Sequence, residues 1–336
     1  MAVMAEATAQ PPRRRMRFGG PLVKMVAQRI ALGFLLLIAV SVLIFAGTQI
    51  LPGDVATAML GQQATPEAVA NIREELGLNR PAVVRYFDWL WGALQGDFGT
   101  SFTNRQDIAS QIGKRLGNTL FLAFAAAAIA VPLAILLGVL AVRYRNSWFD
   151  RSISVVTLST ISLPEFFWGY LLMLVFAVKL QWFPSSATVF ESMSLGERLW
   201  AISLPTFTLV LVVVGHMMRM TRAAVLNVLS SAYVETAELK GLSPSRIIWR
   251  HALPNAVAPI VTVVALNLAY LVVGVVVVEV IFVYPGMGQY MVDHVSKRDV
   301  PVVQACGVIF ASVYIILNIV ADLASVLANP RLRHPR

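Results

Sequence analysis

The sequence predicts an all-α integral membrane protein with six transmembrane helices, and two observations carry that prediction. The 336-residue chain is 57% apolar and only 13% charged, with a mean hydropathy of +0.71, so it holds more apolar surface than one soluble core can hide. That surface is gathered into six stretches, each long enough for a bilayer core that takes roughly 20 apolar residues per helix. They are residues 30–51, 118–142, 153–180, 203–220, 256–282 and 302–327.

Taken in order, residues 1–25 form a basic tail, rich in Ala, Pro and Arg at its start and expected to be disordered. An Arg-rich start before an apolar run also resembles a signal peptide, but the run exceeds a typical signal core and favours an uncleaved first helix. An outer segment, 52–117, then separates the first two spans and carries its own helix signals. Thr65 is placed to cap a helix with Pro66 at its first position and Glu67 favourable to its dipole, and Gly77 stands beyond its end. A second helix starts at Pro81 and shows Tyr86, Phe87, Trp89, Leu90 and Trp91 before Gly96. These aromatics suit a membrane interface, either packed within a small cap or facing a partner.

In the second span Pro132 and Gly138 suit bending and close helix packing, as do Asn267 and Gly274 in the fifth. Ionisable groups at membrane depth are functional candidates by default. Glu165 follows Pro164 in the third span, where a kink turns its carboxylate either toward a central cavity, to meet the amino group of a solute, or toward a neighbouring helix or the interface. Glu279 and Asp322 stand near helix ends and are expected to reach water or a paired subunit. Pro205 and His216 blur the limits of the fourth span. Cys306, the single cysteine, excludes an internal disulfide and a thiolate metal cluster and reads as a small packing residue.

Cationic loops stay on the cytoplasmic side. With the N-terminus inside, 17 of the 27 Lys and Arg fall on inner segments against five acids, a net +12, and the rest of the chain carries −3. Both termini, including the tail 330–336, are therefore cytoplasmic, and the overall +9 reports membrane orientation rather than nucleic-acid binding. No glycine-rich loop ending in Gly-Lys-Ser or Gly-Lys-Thr occurs, and the four histidines lack metal-ligand spacing. No Gly-x-Ser-x-Gly element is present either. The chain reads as chemically inert by itself.

The inner segment 223–255 contains YVETAELKGLSPSRIIWRHALP at 233–254. Gly241 follows good helix formers and suits a left-handed helix end; Ser243 caps a second helix with Pro244 at its first position, and Leu253 and Pro254 are expected to close it. A helix, a tight turn and a helix just off the membrane make either a mechanical handle or a solvated loop.

This segment resembles the EAA loop of importer permeases of the ATP-binding cassette (ABC) class. Glu235, Thr236 and Ala237 fill the EAA positions, Gly241 and Leu242 follow at the family spacing, and Leu253 and Pro254 close the pattern. Thr236 replaces an Ala, and His251 stands where Ile is usual. LPGD (51–54), ELGLNRP (75–81), GDFGTS (96–101), SLPEFFWG (162–169), AYVETA (232–237) and YPGMG (284–288) resemble the dipeptide and oligopeptide permeases, specifically the first of their two paired membrane subunits.

The resemblance implies the type I ABC importer permease architecture over 26–329, in a bacterial or archaeal plasma membrane. It implies a heterodimer with a second permease, two ABC ATPases that bind ATP and Mg, and an extracytoplasmic solute-binding protein. Glu235, Thr236, Ala237, Gly241, Leu242, Leu253 and Pro254 are then the ATPase-coupling residues. Glu165, Phe166 and Trp168 are candidates for the substrate pathway. Peptides are the expected cargo, with nickel, glutathione or oligosaccharides as alternatives. An ion-driven carrier would show internal repeats with broken helices, and no clear repeat is present. A membrane enzyme would need paired catalytic groups at one depth, which the scattered Glu165, Glu279 and Asp322 do not provide.

Overall fold

The computed structural model describes residues 21–50 and 54–328. Most of the basic tail expected at 1–25, the tail at 330–336 and all but Asp54 of LPGD lie outside the described residues. Helix α1 (Pro21–Ile50) begins earlier than expected, because residues 21–25 continue the helix rather than belonging to the tail.

The outer segment folds as the local signals predict. α2 (Val55–Leu60) is followed by α3 (Pro66–Glu75), whose Ala68 N–H donates to Thr65 Oγ1 at 3.2 Å. Gly77 beyond it is left-handed, with φ of 64°. α4 (Ala82–Leu94) lays Tyr86 and Trp89 on Phe45 of α1 and sets the Tyr86 hydroxyl 2.9 Å from that of Ser41. Phe87 and Trp91 of the same helix stay exposed. The aromatic run is therefore divided between cap packing and an open face.

α5 (Ile108–Arg143) and α9 (Ser203–Leu229) form the centre, α9 being the most deeply buried span. Around them pack α6 (Trp148–Ser162), α7 (Glu165–Leu172), α12 (Leu253–Ile281) and α14 (Val300–Ala328), with α1 outermost against α14. Short helices decorate the two ends. α8 (Leu195–Ala201) and α13 (Met287–Ser296) lie at the outer end, α10 (Ala232–Leu239) and α11 (Pro244–Arg246) at the inner end.

Two of the six expected spans differ from simple rods. The third is broken: α6 and α7 meet at 104°. Leu163 and Pro164 are both extended, since the proline ring disfavours helical geometry in the residue before it and supplies no N–H. α7 then widens into a π-helix at Met173–Lys179. The fifth span is longer than expected. Leu253 and Pro254 do not close a separate helix; a π-helix at Ile247–Ala252 runs directly from α11 into α12, giving one stretch, Pro244–Ile281. The wider turn accommodates a proline that would otherwise clash with the carbonyl four residues earlier.

Candidate functional site

At the inner end, α10 closes in a Schellman turn. Gly241, with φ of 74°, donates its N–H to the Glu238 carbonyl at 2.8 Å, and Leu242 N–H reaches the Ala237 carbonyl at 3.2 Å. Val234 and Ala237 turn inward onto Ile247, Leu229 and Leu242. The opposite face is left open: Glu235 and Thr236 are exposed, Tyr233 is 45% exposed and Leu239 83%. Tyr233 and Leu239 are thus apolar side chains that the chain's own packing leaves uncovered.

Two arginines tie this end to the bundle, a role that positive charge near the cytoplasm alone did not reveal. Arg143 Nε at the end of α5 donates to Ser245 Oγ at 2.6 Å. Arg222 of α9 forks onto Asp150 of α6 through Nε at 3.1 Å and Nη2 at 3.0 Å. A bidentate guanidinium-carboxylate pair fixes orientation as well as distance. Leu253 and Pro254 stand in the first turn of α12, beyond the π-helix that separates them from α10. His251 is half-buried there, and its carbonyl accepts from Asn255 Nδ2 at 2.7 Å.

The broken span sets Glu165 as the first residue of α7, where a carboxylate meets the positive end of the helix. A Cβ built on Gly274 of α12 would lie 3.5 Å from Glu165 Oε2 and 3.7 Å from Tyr270 Cε1, so the carboxylate rests over a gap in the α12 surface beside an aromatic ring. Phe166 is exposed next to it. Trp168 points elsewhere: its Nε1–H donates to the Thr160 carbonyl at 3.1 Å, stapling α7 to α6 across the bend.

The outer end corrects the expectation for Glu279. Rather than reaching water or a paired subunit, its side chain is fully buried. Its Oε1 accepts from Thr119 Oγ1 at 2.6 Å, and its Oε2 accepts from the N–H groups of Gly288 at 2.7 Å and Gln289 at 3.1 Å. Glu279 thus caps the N-terminus of α13 from another helix. The glycines of YPGMG make room for it, since a Cβ on Gly286 would overlap its carboxyl group. Val283, a β-branched residue at φ of 52°, carries strain at the entry to this turn. Asp322 does reach the surface, its side chain half-exposed, and it also pairs with Arg29 of α1 at 3.1 Å.

Asp299, between α13 and α14, was not singled out from the sequence. It is fully buried and accepts from Ser101 Oγ at 2.5 Å, Thr103 Oγ1 at 2.8 Å, and the N–H groups of Phe102 and Thr103. It pins the GDFGTS stretch to the bundle across nearly 200 residues of sequence.

The model of the binding-protein-dependent transport system inner membrane component matches residues 130–334, and the model of the N-terminal part of such components matches 22–123. The chain belongs to this family. As an inner-membrane component, it is 36% identical over 93% of its length to a putative peptide transport system permease protein of Brucella abortus (strain 2308), all of which is covered. It is also 36% identical over 89% of its length to the glutathione transport system permease protein GsiC of Salmonella choleraesuis, 95% of which is covered. A solved structure, the methionine ABC transporter MetNI in inward-facing conformations, is similar at 16% identity with a TM-score of 0.48, over 66% of this chain and 96% of that one.

Proposed function

We infer that this chain is the peptide-translocating permease of an ATP-driven importer, paired with a second permease. Its cargo is delivered by an extracytoplasmic binding protein, and its energy comes from two ATPase subunits that hold ATP and Mg. The observation that carries this reading is the inner-end helix α10. It is locked at Gly241, projects Tyr233, Glu235 and Leu239 outward, and is followed, after the turn at Gly241, by the unbroken helical stretch Pro244–Ile281 that contains α12. Such a helix transmits a push from a partner to the membrane spans, and it supports roles for Glu235, Thr236, Ala237, Gly241, Leu242, Leu253 and Pro254 in coupling.

The peptide cargo follows from the relatives named above, including the glutathione permease, whose solute is itself a small peptide. The exposed apolar residues of α7 and α12, among them Phe167, Val273 and Val277, suit a contact with the second permease. Glu165 and Phe166 lie at the edge of that face and line the pathway, with Trp168 holding the bend that presents them. The outer cap offers Phe87 and Trp91 to the binding protein.

Tagging the chain and purifying it gently from its native membrane tests the assembly. Co-purification of a second six-span permease and of ATPases with nucleotide-binding loops is expected. Recovery of a homo-oligomer without an ATPase would replace this reading with an ion-driven carrier.

A further inference from the structure

We propose that the Glu165 carboxylate binds the protonated amine of the solute during passage, so that the permease itself favours cargo with a free ammonium group. The inference rests on the peptide-permease reading above and adds the chemistry of one contact inside it.

Four acidic residues stand within the described spanning helices, and three are satisfied. Asp150 holds the forked Arg222, Asp322 holds Arg29, and Glu279 accepts from Thr119, Gly288 and Gln289. Glu165 alone has neither a cation nor a hydrogen-bond donor among the described residues. A carboxylate at membrane depth is costly without a partner and persists where it meets a cavity, a solute or a cation.

Its surroundings fit an ammonium group. The acid lies at the start of α7, half-buried and still reachable from the open face shared with α12. The Tyr270 ring flanks it over the Gly274 gap, and Tyr270, Phe166 and Tyr170 are each about half exposed. A negative group beside aromatic faces recognises a cation by charge, by N–H donation and by the ring quadrupole together. The bend at Leu163 and Pro164 is what brings a polar residue to this depth without burying it between helices.

The test is equilibrium binding of radiolabelled dialanine to the purified assembly of both permeases and the ATPases, without the binding protein, so that only the membrane part selects. Alanine amide, which keeps the amine and lacks the carboxylate, is expected to compete, whereas N-acetylalanine is not. Glu165→Gln is expected to weaken dialanine binding by about tenfold, the size of one charge-assisted contact, with the assembly intact and its thermal midpoint unchanged. Glu165→Asp is expected to keep part of the affinity.

Undiminished binding in Glu165→Gln, equal competition by N-acetylalanine, or no dialanine binding to the wild type overturns the proposal. Loss of the second permease from the Glu165→Gln assembly also overturns it, because the acid would then be an inter-subunit ion pair. Uptake of dialanine by wild-type proteoliposomes with ATP and the binding protein is measured in parallel. Absent uptake there marks failure of the peptide reading itself, separately from the role of Glu165.

Discussion

Thr119 of α5 and Glu279 of α12 share a buried 2.6 Å hydrogen bond, and the same threonine oxygen accepts the Met287 N–H of α13 at 2.8 Å. One hydroxyl therefore joins three helices at the outer end. Thr119→Val keeps the shape and removes both bonds, leaving a buried acceptor and a buried N–H unmatched. A loss of about 1–3 kcal/mol is expected, read as a lower thermal midpoint in detergent, with Thr119→Ser close to wild type. A Thr119→Val protein as stable as the wild type would show that the clasp adds nothing.

Asp299 holds the loop around Ser101 and Thr103 by four hydrogen bonds. Asp299→Ala is expected to free that loop and to speed tryptic cleavage after the exposed Arg105, several-fold over wild type in limited proteolysis. Cleavage elsewhere in the outer cap should change less.

Gly241 occupies left-handed backbone, where a side chain costs about 1–2 kcal/mol and a β-branched one more. Gly241→Val is expected to distort the end of α10, reduce ATPase recovery on purification and lower solute uptake. Lys240→Ala, at φ of −80°, should leave both near wild type. Unchanged uptake in Gly241→Val would remove α10 from the coupling path.

Glu197 opens α8 in a capping box: Ser194 N–H and Oγ–H both donate to its carboxylate, at 2.7 and 2.8 Å, and hold its pKa below the usual carboxylate value. A depressed folded-state pKa means the contribution is present above the unfolded value and lost as pH falls through the folded one. The Glu197 titration, followed by NMR, is therefore expected below the usual carboxylate range and to move up in Ser194→Ala. An unmoved midpoint would mean the box does not form in solution.

The spans were legible because a bilayer demands long apolar runs, and the caps at Thr65, Pro66 and Gly241 were legible because they are local backbone requirements. What escaped is non-local. Pro164 signals a break, but the angle is set where α7 packs on α9 and α12. Pro254 signals a stop in isolation, yet a widened turn carries the helix through it. Burial of Glu279 depends on Thr119, 160 residues away, and Asp299 meets a loop with which it shares no periodicity. Among the pathway candidates, Trp168 shows the same limit: its type suggested solute contact, while its indole N–H is engaged by Thr160.

The unbroken run from Pro244 to Ile281 contains 38 residues, which at about 1.5 Å per residue is roughly 57 Å, nearly twice the apolar thickness of about 30 Å. Its two ends carry the turn after Gly241 and the carboxyl group of Glu279. By that length, a tilt of only about 5° pivoting at one end sweeps the other through roughly 5 Å. The outer clasp is thus the far end of a lever whose near end lies outside the membrane on the opposite side; under the importer reading proposed above, a push at that near end reaches the outer cap with no relay of side chains.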